Sequence, residues 1–268
     1  GGYNYATSDL ACVIDRFERL GADEAWYVVG APQSQHLEMV FAVARQAGWV
    51  RDGAVLEHVS FGSVLGSDRK MLKSRSGETV KLDALIGEAV QRAGDLVAEK
   101  NPELDAAVRD VVARQVGIGA VKYADLSTDR VSDYVFDWER MLSFDGNTAP
   151  YLQYAHARVC SIFRRAGVER AAARSAAVRL GHPAERALAL RLLAFPTALA
   201  DAAERHSPHR LCTYLYDVAR VLSVFYEECP VLRAEADERA SRLALSDLAA
   251  RVLERGLGLL GIETPEQM

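Results

Sequence analysis

Apolar positions follow two periods along the first hundred residues. Leu10, Val13, Ile14 and Phe17 keep the i, i+3, i+4, i+7 spacing of an amphipathic helix, with Thr7 or Ser8 placed to cap it and Asp9 in its first turn. Gly21 breaks that pattern. The run Ala25-Trp26-Tyr27-Val28-Val29, ending at Gly30, is continuous and suits a strand buried on both faces of a parallel sheet. Leu37, Val40, Phe41 and Ala44 then restore the helical period up to Gly48, and a further apolar run at 55–61 leads into a loop rich in Gly, Ser and Lys. The order is strand, helix, strand, as in half of a nucleotide-binding α/β fold.

Beyond Lys81 the period of 3.6 prevails. Residues 82–100 and 104–126 read as helices divided by Asn101-Pro102, and Tyr134-Val135-Phe136 is a brief extended piece. After Gly146 the pattern predicts helices only, near 149–167, 183–206, 211–228 and 239–260. Leu211, Leu215, Val218, Leu222 and Phe225 form one apolar stripe, and Leu245, Leu248 and Val252 begin another. The fold class is therefore α/β followed by all-α. The expected division is a partial Rossmann-like domain at 1–145, with its loop at 68–77, and a helical bundle at 146–268.

With 268 residues, half of them hydrophobic and 26% charged, the chain can bury a core without staples. No apolar run approaches the roughly eighteen residues that span a membrane. Cys12, Cys160, Cys212 and Cys229 form no C-x-x-C and have no His-paired ligand spacing, so no structural zinc is expected; they read as buried thiols of a reducing, cytoplasmic setting. No signal peptide is legible, and the absence of an initiator Met points to something missing upstream. The net charge of −5 conceals two basic islands. Stretch 158–191 holds eight arginines against Glu169 and Glu185, a net +6, which leaves −11 on the rest of the chain. Stretch 61–81 sets Arg69, Lys70, Lys73, Arg75 and Lys81 against Asp68 and Glu78, a net +3. Either island can meet phosphate, or be an ordinary solvated helix face or loop.

The sharpest local signal is Asp68-Arg69-Lys70-Met71-Leu72-Lys73-Ser74-Arg75-Ser76-Gly77. Two lysines three apart, in a loop just after a buried strand, can bring two ammonium groups to a polyphosphate. Nothing matches G-x-x-x-x-G-K-[ST], which disfavours a P-loop enzyme. Lys70-Met71-Leu72-Lys73-Ser74 instead matches four of five positions of the KMSKS signature of class I aminoacyl-tRNA synthetases. Its surroundings, Val59-Ser60-Phe61-Gly62 and Ser74 through Leu82, resemble the arginyl-tRNA synthetase version. The resemblance extends in order along the chain. Tyr5-Ala6-Thr7-Ser8-Asp9 is similar to that family's Y-x-T-x-D segment, and Val29 through His36 to its next strand and turn. Ile118 through Leu126, Phe136-Asp137-Trp138, Gly146-Asn147-Thr148-Ala149-Pro150-Tyr151-Leu152-Gln153-Tyr154 and the tail 259–268 are similar to its later blocks.

That resemblance implies the second half of a class I catalytic domain followed by an anticodon-binding domain of the DALR type. It implies adenylation of arginine by ATP, with Mg2+ accompanying the nucleotide, and transfer to the terminal ribose of the tRNA for arginine. Tyr5, Asp9 and Gln33 match positions that hold the arginine side chain, and an anion with planar acceptors is what a guanidinium fork requires. Read from the residues alone, Asp9 is equally a helix-start acid, and Tyr5 and Gln33 surface polar groups. His36 and Phe61 match ATP-side positions, although His36 alone could be a satisfied or solvated histidine. Lys70 and Lys73 are implied as cations on the α-phosphate transition state, Lys73 foremost; Leu72 departs from the small polar residue of the general motif. Asn147, Tyr151, Tyr154, Arg158 and Arg165 are implied on the tRNA side, where unstacked bases rest on aromatic or guanidinium planes. Tyr151 and Tyr154 could also be half-buried bundle residues.

No H-x-G-H element occurs among the six histidines, and the first β-α-β half is not legible, so a raw strand edge and an open apolar sheet face are expected. Three readings stay open: the C-terminal portion of an arginine-tRNA ligase, inactive on its own and completed by a missing N-terminal half; a free-standing paralogue that binds tRNA or arginine without ligating them; and an interaction module that reuses the bundle. No DNA or membrane partner is expected.

Overall fold

The computed structural model describes residues 2–71 and 81–268, which fall into two units: Gly1–Leu65 with Arg130–Tyr134, and Gly66–Asp129 with Val135–Met268. Packing thus divides the chain elsewhere than the sequence pattern does. The helices at 82–126 pack among themselves and with the bundle.

In the first unit, α1 (Tyr5–Ile14) starts earlier than the periodicity predicts. Asn4 is the cap, its Oδ1 accepting from Thr7 N at 2.9 Å and from the Thr7 hydroxyl at 2.8 Å, so neither Thr7 nor Ser8 caps. Asp9 therefore lies beyond the first turn, where the macrodipole no longer explains an acid. A π-turn at Asp15–Arg19 continues α1 and brings Phe17 inward with Val13. Strand β1 (Glu24–Gly30) pairs in parallel with β2 (Val55–Phe61), from Glu24 opposite Val55 to Gly30 opposite Phe61. The helix α2 (Ser34–Gln46) crosses between them, entered through a 3-10 turn at Ala31–Gln33.

One sheet face is covered. Ala25 and Leu56 bury against Leu37, Val40, Phe41 and Ala44 of α2 and against Val13 and Phe17. The other is open: Trp26 is 52% and Val28 66% exposed, which corrects the expectation of a strand buried on both sides and agrees with that of an open apolar face. The short strand β3 (Val64–Leu65) follows, and the segment 130–134, which enters β4 (Tyr134–Val135), straps the end of β2. Gly62 N donates to Arg130 O at 2.7 Å and Arg130 Nη1 to Ser60 O at 2.6 Å. A Cβ at Gly62 would lie 2.6 Å from the Ser132 carbonyl, so this approach requires glycine.

In the second unit, α3 (Leu82–Lys100) and α4 (Ala106–Leu126) form an antiparallel pair, α4 capped by Asp105, whose Oδ1 accepts from Ala107 N at 2.9 Å. Their seam is built from small residues, Ala89 and Ala93 on α3 and Ala113, Gly117 and Ala120 on α4. At Gly117 a Cβ would sit 2.7 Å from Val90 Cα, whereas at Gly94 it would meet only Ala113 Cβ at 3.5 Å. Gly117→Ala is expected to destabilise by about 2 kcal/mol, because helix backbone cannot turn aside as a rotamer can. Gly94→Ala should be neutral or stabilising by up to about 1 kcal/mol. Urea denaturation of the two variants, compared at equal m-value, checks the pair.

A short helix α5 (Trp138–Met141) leads to α6 (Ala149–Ala166), which Thr148 caps and Gly167 ends in the left-handed region. After α7 (Arg170–Ala173), the expected helix at 183–206 is two: α8 (Pro183–Leu193) and α9 (Phe195–Glu204), with Pro196 at the start of the second. His182 caps α8 in a capping box with Glu185. The bundle closes with α10 (Pro208–Glu228) and α11 (Ala236–Leu259). Leu152, Leu188, Leu215, Phe225, Leu253 and Leu257 are fully buried between them, each contributing roughly 1.5–3 kcal/mol.

The tail after α11 is held by side chains of earlier helices. Gln153 Nε2 donates to Glu263 O at 2.8 Å and Arg164 Nη1 to Glu266 O at 2.8 Å. His156 Nδ1 lies 3.1 Å from Pro265 O, and burial holds its pKa below the usual histidine range, so the neutral ring donates there. All four cysteines are free; Cys160, Cys212 and Cys229 are buried as expected, but Cys12 is exposed on α1. Among the described residues no helix is long and apolar enough to cross a membrane.

Candidate functional site

Three of the expected site residues meet at the start of the first unit. Asp9, one turn into α1, accepts from His36 Nε2 on its Oδ2 at 2.6 Å. With Nε2 as donor, the imidazole holds the carboxylate in place. Both side chains are about 30% exposed, so the pair is open to a ligand on one side. The Tyr5 ring stands edge-on to His36, centroids 6.4 Å apart, and is itself largely exposed. Asp9 Oδ1 has no partner among the described residues and remains available to a cation. The contact joins elements 27 residues apart because α2 begins directly after β1 and lies against α1.

Gln33 ends the 3-10 turn between β1 and α2 and is exposed. Phe61, 44% exposed, ends β2 opposite Gly30. Both lie at the carboxyl end of the parallel strands, where open α/β sheets receive ligands. The resemblance assigns His36 to the nucleotide. Its hydrogen bond adds a second task, orienting Asp9.

Lys70 follows β3 in a turn within the second unit. Gly66 N donates to Lys70 O at 2.8 Å, Lys70 N to Asp68 Oδ1 at 3.1 Å, and Arg69 takes φ +59° at the bend. The Lys70 side chain is exposed. Lys73 and the rest of the signature lie outside the described residues.

The helical residues divide by environment. Asn147 is tied to the core, its Oδ1 2.7 Å from the hydroxyl of buried Tyr123. Tyr151 is half-buried, edge-on to Tyr216 with centroids 5.6 Å apart, whereas Tyr154 is 44% exposed and edge-on to Phe144. The Arg158 guanidinium lies over the Tyr226 ring, 3.8 Å from its centroid. Arg165 is exposed two turns further along α6.

The basic island at 158–191 is narrower than its count implies. Arg170 and Arg174 both bind Asp247, Arg179 binds Asp237 at 2.9 Å, and Arg191 lies 3.4 Å from Asp217. These four are neutralised by acids from α10 and α11. Arg158, Arg165 and Arg186 have no acidic partner among the described residues. The sequence reading missed a groove of about 360 Å³ beside α6, where Arg158, Ser161 and Arg165 meet Tyr226 and Arg233. No local signal gives it, since its two walls are about seventy residues apart. Among the described residues no group of three or more His, Cys, Asp or Glu is placed to hold a metal ion.

A parallel strand-helix-strand unit with side chains gathered at its strand ends, followed by an all-helical domain, places the protein in the class of chains that join part of a nucleotide fold to a helical domain. Comparison with known proteins narrows the class. Residues 1–138 match the family model described as the catalytic domain of class I (R) tRNA synthetases, and residues 152–268 match the DALR anticodon binding domain. The chain belongs to the arginyl-tRNA synthetase family. It is 54% identical over its whole length to the arginine–tRNA ligase of Thermobifida fusca, covering 46% of that protein. It is 53% identical to that of Cellvibrio japonicus, again covering 46%. Among solved structures, arginyl-tRNA synthetase of Thermus thermophilus superposes with a TM-score of 0.87 at 32% identity, over all of this chain and 50% of that one. The chain spans about half the length of the curated relatives it matches.

Proposed function

We propose that the chain is the C-terminal portion of an arginine–tRNA ligase, supplying the arginine pocket, the lysine loop and the tRNA-recognition surface for activation of arginine by ATP and its transfer to tRNA. The observation that carries this reading is the Asp9–His36 pair beside Tyr5, an oriented carboxylate with one oxygen to spare at the ligand end of a parallel sheet. Asp9 Oδ1 would take the arginine guanidinium, Tyr5 its aliphatic stem, and Gln33 a further N–H. Arginine's carboxylate would attack the α-phosphate of ATP and release pyrophosphate. The terminal ribose hydroxyl of tRNA would then attack the acyl carbon and release AMP. ATP is the nucleotide this family uses. His36 and Phe61 would border it, and Mg2+ would arrive bound to its phosphates. Lys70 and Lys73 would stabilise charge on the transferring phosphate without exchanging a proton.

The functional division falls at 145/146. The helical part would receive tRNA through Asn147, Tyr151, Tyr154, Arg158 and Arg165. The setting would be cytoplasmic, with the remaining part of the enzyme as partner.

Two measurements test the reading. Filter binding of the tRNA for arginine should be detectable at low salt and weaken steeply as salt rises. If no tRNA binds at low salt, the helical assignment fails. Arginine-dependent pyrophosphate exchange is expected to be absent from the chain alone, which has no H-x-G-H element, and to appear when the part of the Thermobifida fusca relative that the chain does not span is joined to it. Exchange by the chain alone would overturn the division of labour.

A further inference from the structure

The stretch that joins β2 to β3 is gripped by the segment 130–134, which lies 70 positions further along the chain. Arg130 Nη1 donates to Ser60 O at 2.6 Å, Gly62 N to Arg130 O at 2.7 Å, Ser63 N to Asp133 Oδ1 at 2.6 Å and Tyr134 N to Ser63 O at 3.2 Å. The two backbone-to-backbone contacts make no demand on residue type. The other two depend on Arg130 and Asp133, and a guanidinium on a carbonyl or a carboxylate on an amide is charge-assisted, hence short and directional. Gly62 permits the approach, since a Cβ there would lie 2.6 Å from the Ser132 backbone. What is held in this way is the root of the lysine loop. Ser60 precedes Phe61, Ser63 precedes β3, and Lys70 stands only five residues after Leu65. The turn that carries Lys70 is itself closed, by Gly66 N on Lys70 O at 2.8 Å and Arg69 N on Gly66 O at 2.9 Å. The path from Ser63 to Lys70 therefore has little slack.

We propose that Arg130 and Asp133 are positioning residues for Lys70: by fixing the Ser60 carbonyl and the Ser63 amide they set the direction in which the chain leaves β2 for the lysine loop. They act through the backbone and exchange no proton. An ammonium group that stabilises a transferring phosphate works by its place, and a displacement of about 1 Å costs up to about a hundredfold in rate. Asp133 is exposed, and an exposed carboxylate contact adds little to global stability. Its loss is therefore felt in the rate and not in the fold. The inference rests on the ligase reading above and adds to it two residues, each with a stated backbone atom to hold.

The test is arginine-dependent pyrophosphate exchange by the chain joined to the unspanned part of the Thermobifida fusca relative, comparing D133A, D133N and R130M with the unaltered sequence. Alanine removes the acceptor at Asp133, asparagine keeps an oxygen for Ser63 N, and methionine keeps the Arg130 stem without its donors. D133A and R130M are expected to lower kcat and kcat/KM together by about tenfold, with KM for arginine and for ATP changed less than about twofold. D133N should stay within about threefold of the unaltered protein. The urea midpoint should hardly move in any of them. A second measurement needs no activity and uses the chain alone. Tryptic cleavage after Lys70, which is exposed, should quicken about fivefold in D133A and R130M but not in D133N. Unchanged cleavage in D133A and R130M would overturn the proposal, as would unchanged kcat in an active joined protein, and the ligase reading would stand in both cases. Equal losses for D133A and D133N would also overturn it, because the charge and not the hydrogen bond would then matter. A raised KM for arginine, or a urea midpoint that fell with the rate, would reduce the segment to a structural support. No exchange by the unaltered joined protein would overturn the reading beneath the proposal and the proposal with it.

Discussion

Asp247→Asn is expected to destabilise the helical unit by about 3 kcal/mol, read as a fall in the urea midpoint at unchanged m-value. Asp247 is fully buried on α11 and accepts three guanidinium groups: Arg170 Nε on Oδ1 at 3.1 Å, and on Oδ2 both Arg174 Nε at 3.1 Å and Arg251 Nε at 2.9 Å. An asparagine has the same volume but turns an N–H toward donors, and it removes the charge that three cations share. Breaking a buried pair costs roughly 3–5 kcal/mol when the survivor stays buried. Here Arg170 is 21% exposed, Arg251 44% and Arg174 50%, so the survivors regain some water and the cost falls to the lower end. The matched control is Asp237→Asn, which frees Arg179 from a pair exposed on both sides; its expected cost is below about 0.5 kcal/mol. Equal effects from the two substitutions would mean that burial does not set the strength of these contacts.

The same cluster marks where sequence reading stops. Counting arginines at 158–191 is a local operation, but Arg170 and Arg174 find Asp247 across 77 and 73 positions, after α11 has folded back over α7. A run of like charge therefore looks free until the chain is folded. Elements were more legible than pairings. Residues 82–100 and 211–228 emerge as helices close to their predicted extents, because a buried stripe at a period of 3.6 is a property of the sequence itself. The π-turn after α1 and the break at Ala194 are not periodic features, so the pattern showed neither. The open sheet face is legible in part. Trp26 and Val28 read as buried from the continuous apolar run, but the two-stranded sheet leaves them 52% and 66% exposed. At the candidate site, each residue had a bland reading as well as a functional one. What shifts the balance at Asp9 is geometric: the helix starts four residues before it, and a histidine from another element orients it.

Asp9→Asn is expected to lower kcat/KM for arginine by at least about 100-fold, in arginine-dependent exchange by the chain joined to the unspanned part of the Thermobifida fusca relative, with KM for ATP little changed. With Oδ2 engaged by His36, the Asp9 carboxylate gives a guanidinium its charge and one free acceptor, Oδ1, a charge-assisted contact that contributes roughly 1.5–3 kcal/mol when partly shielded from water. The amide keeps one acceptor and opposes a donor with a donor, so the loss reaches the upper end of that range. His36→Gln separates the two tasks of this pair. It leaves the Asp9 charge in place and removes only the hydrogen bond at 2.6 Å that fixes its rotamer, so about a tenfold loss is expected for arginine. Any effect on ATP would come from the nucleotide side of the same imidazole. If Asp9→Asn raised KM for ATP and spared arginine, the carboxylate would belong to the nucleotide site and the arginine pocket would have to be sought elsewhere. A variant that lost both substrates together with its circular dichroism would instead mean that the pair holds α1 against α2, which urea denaturation of His36→Gln would show independently.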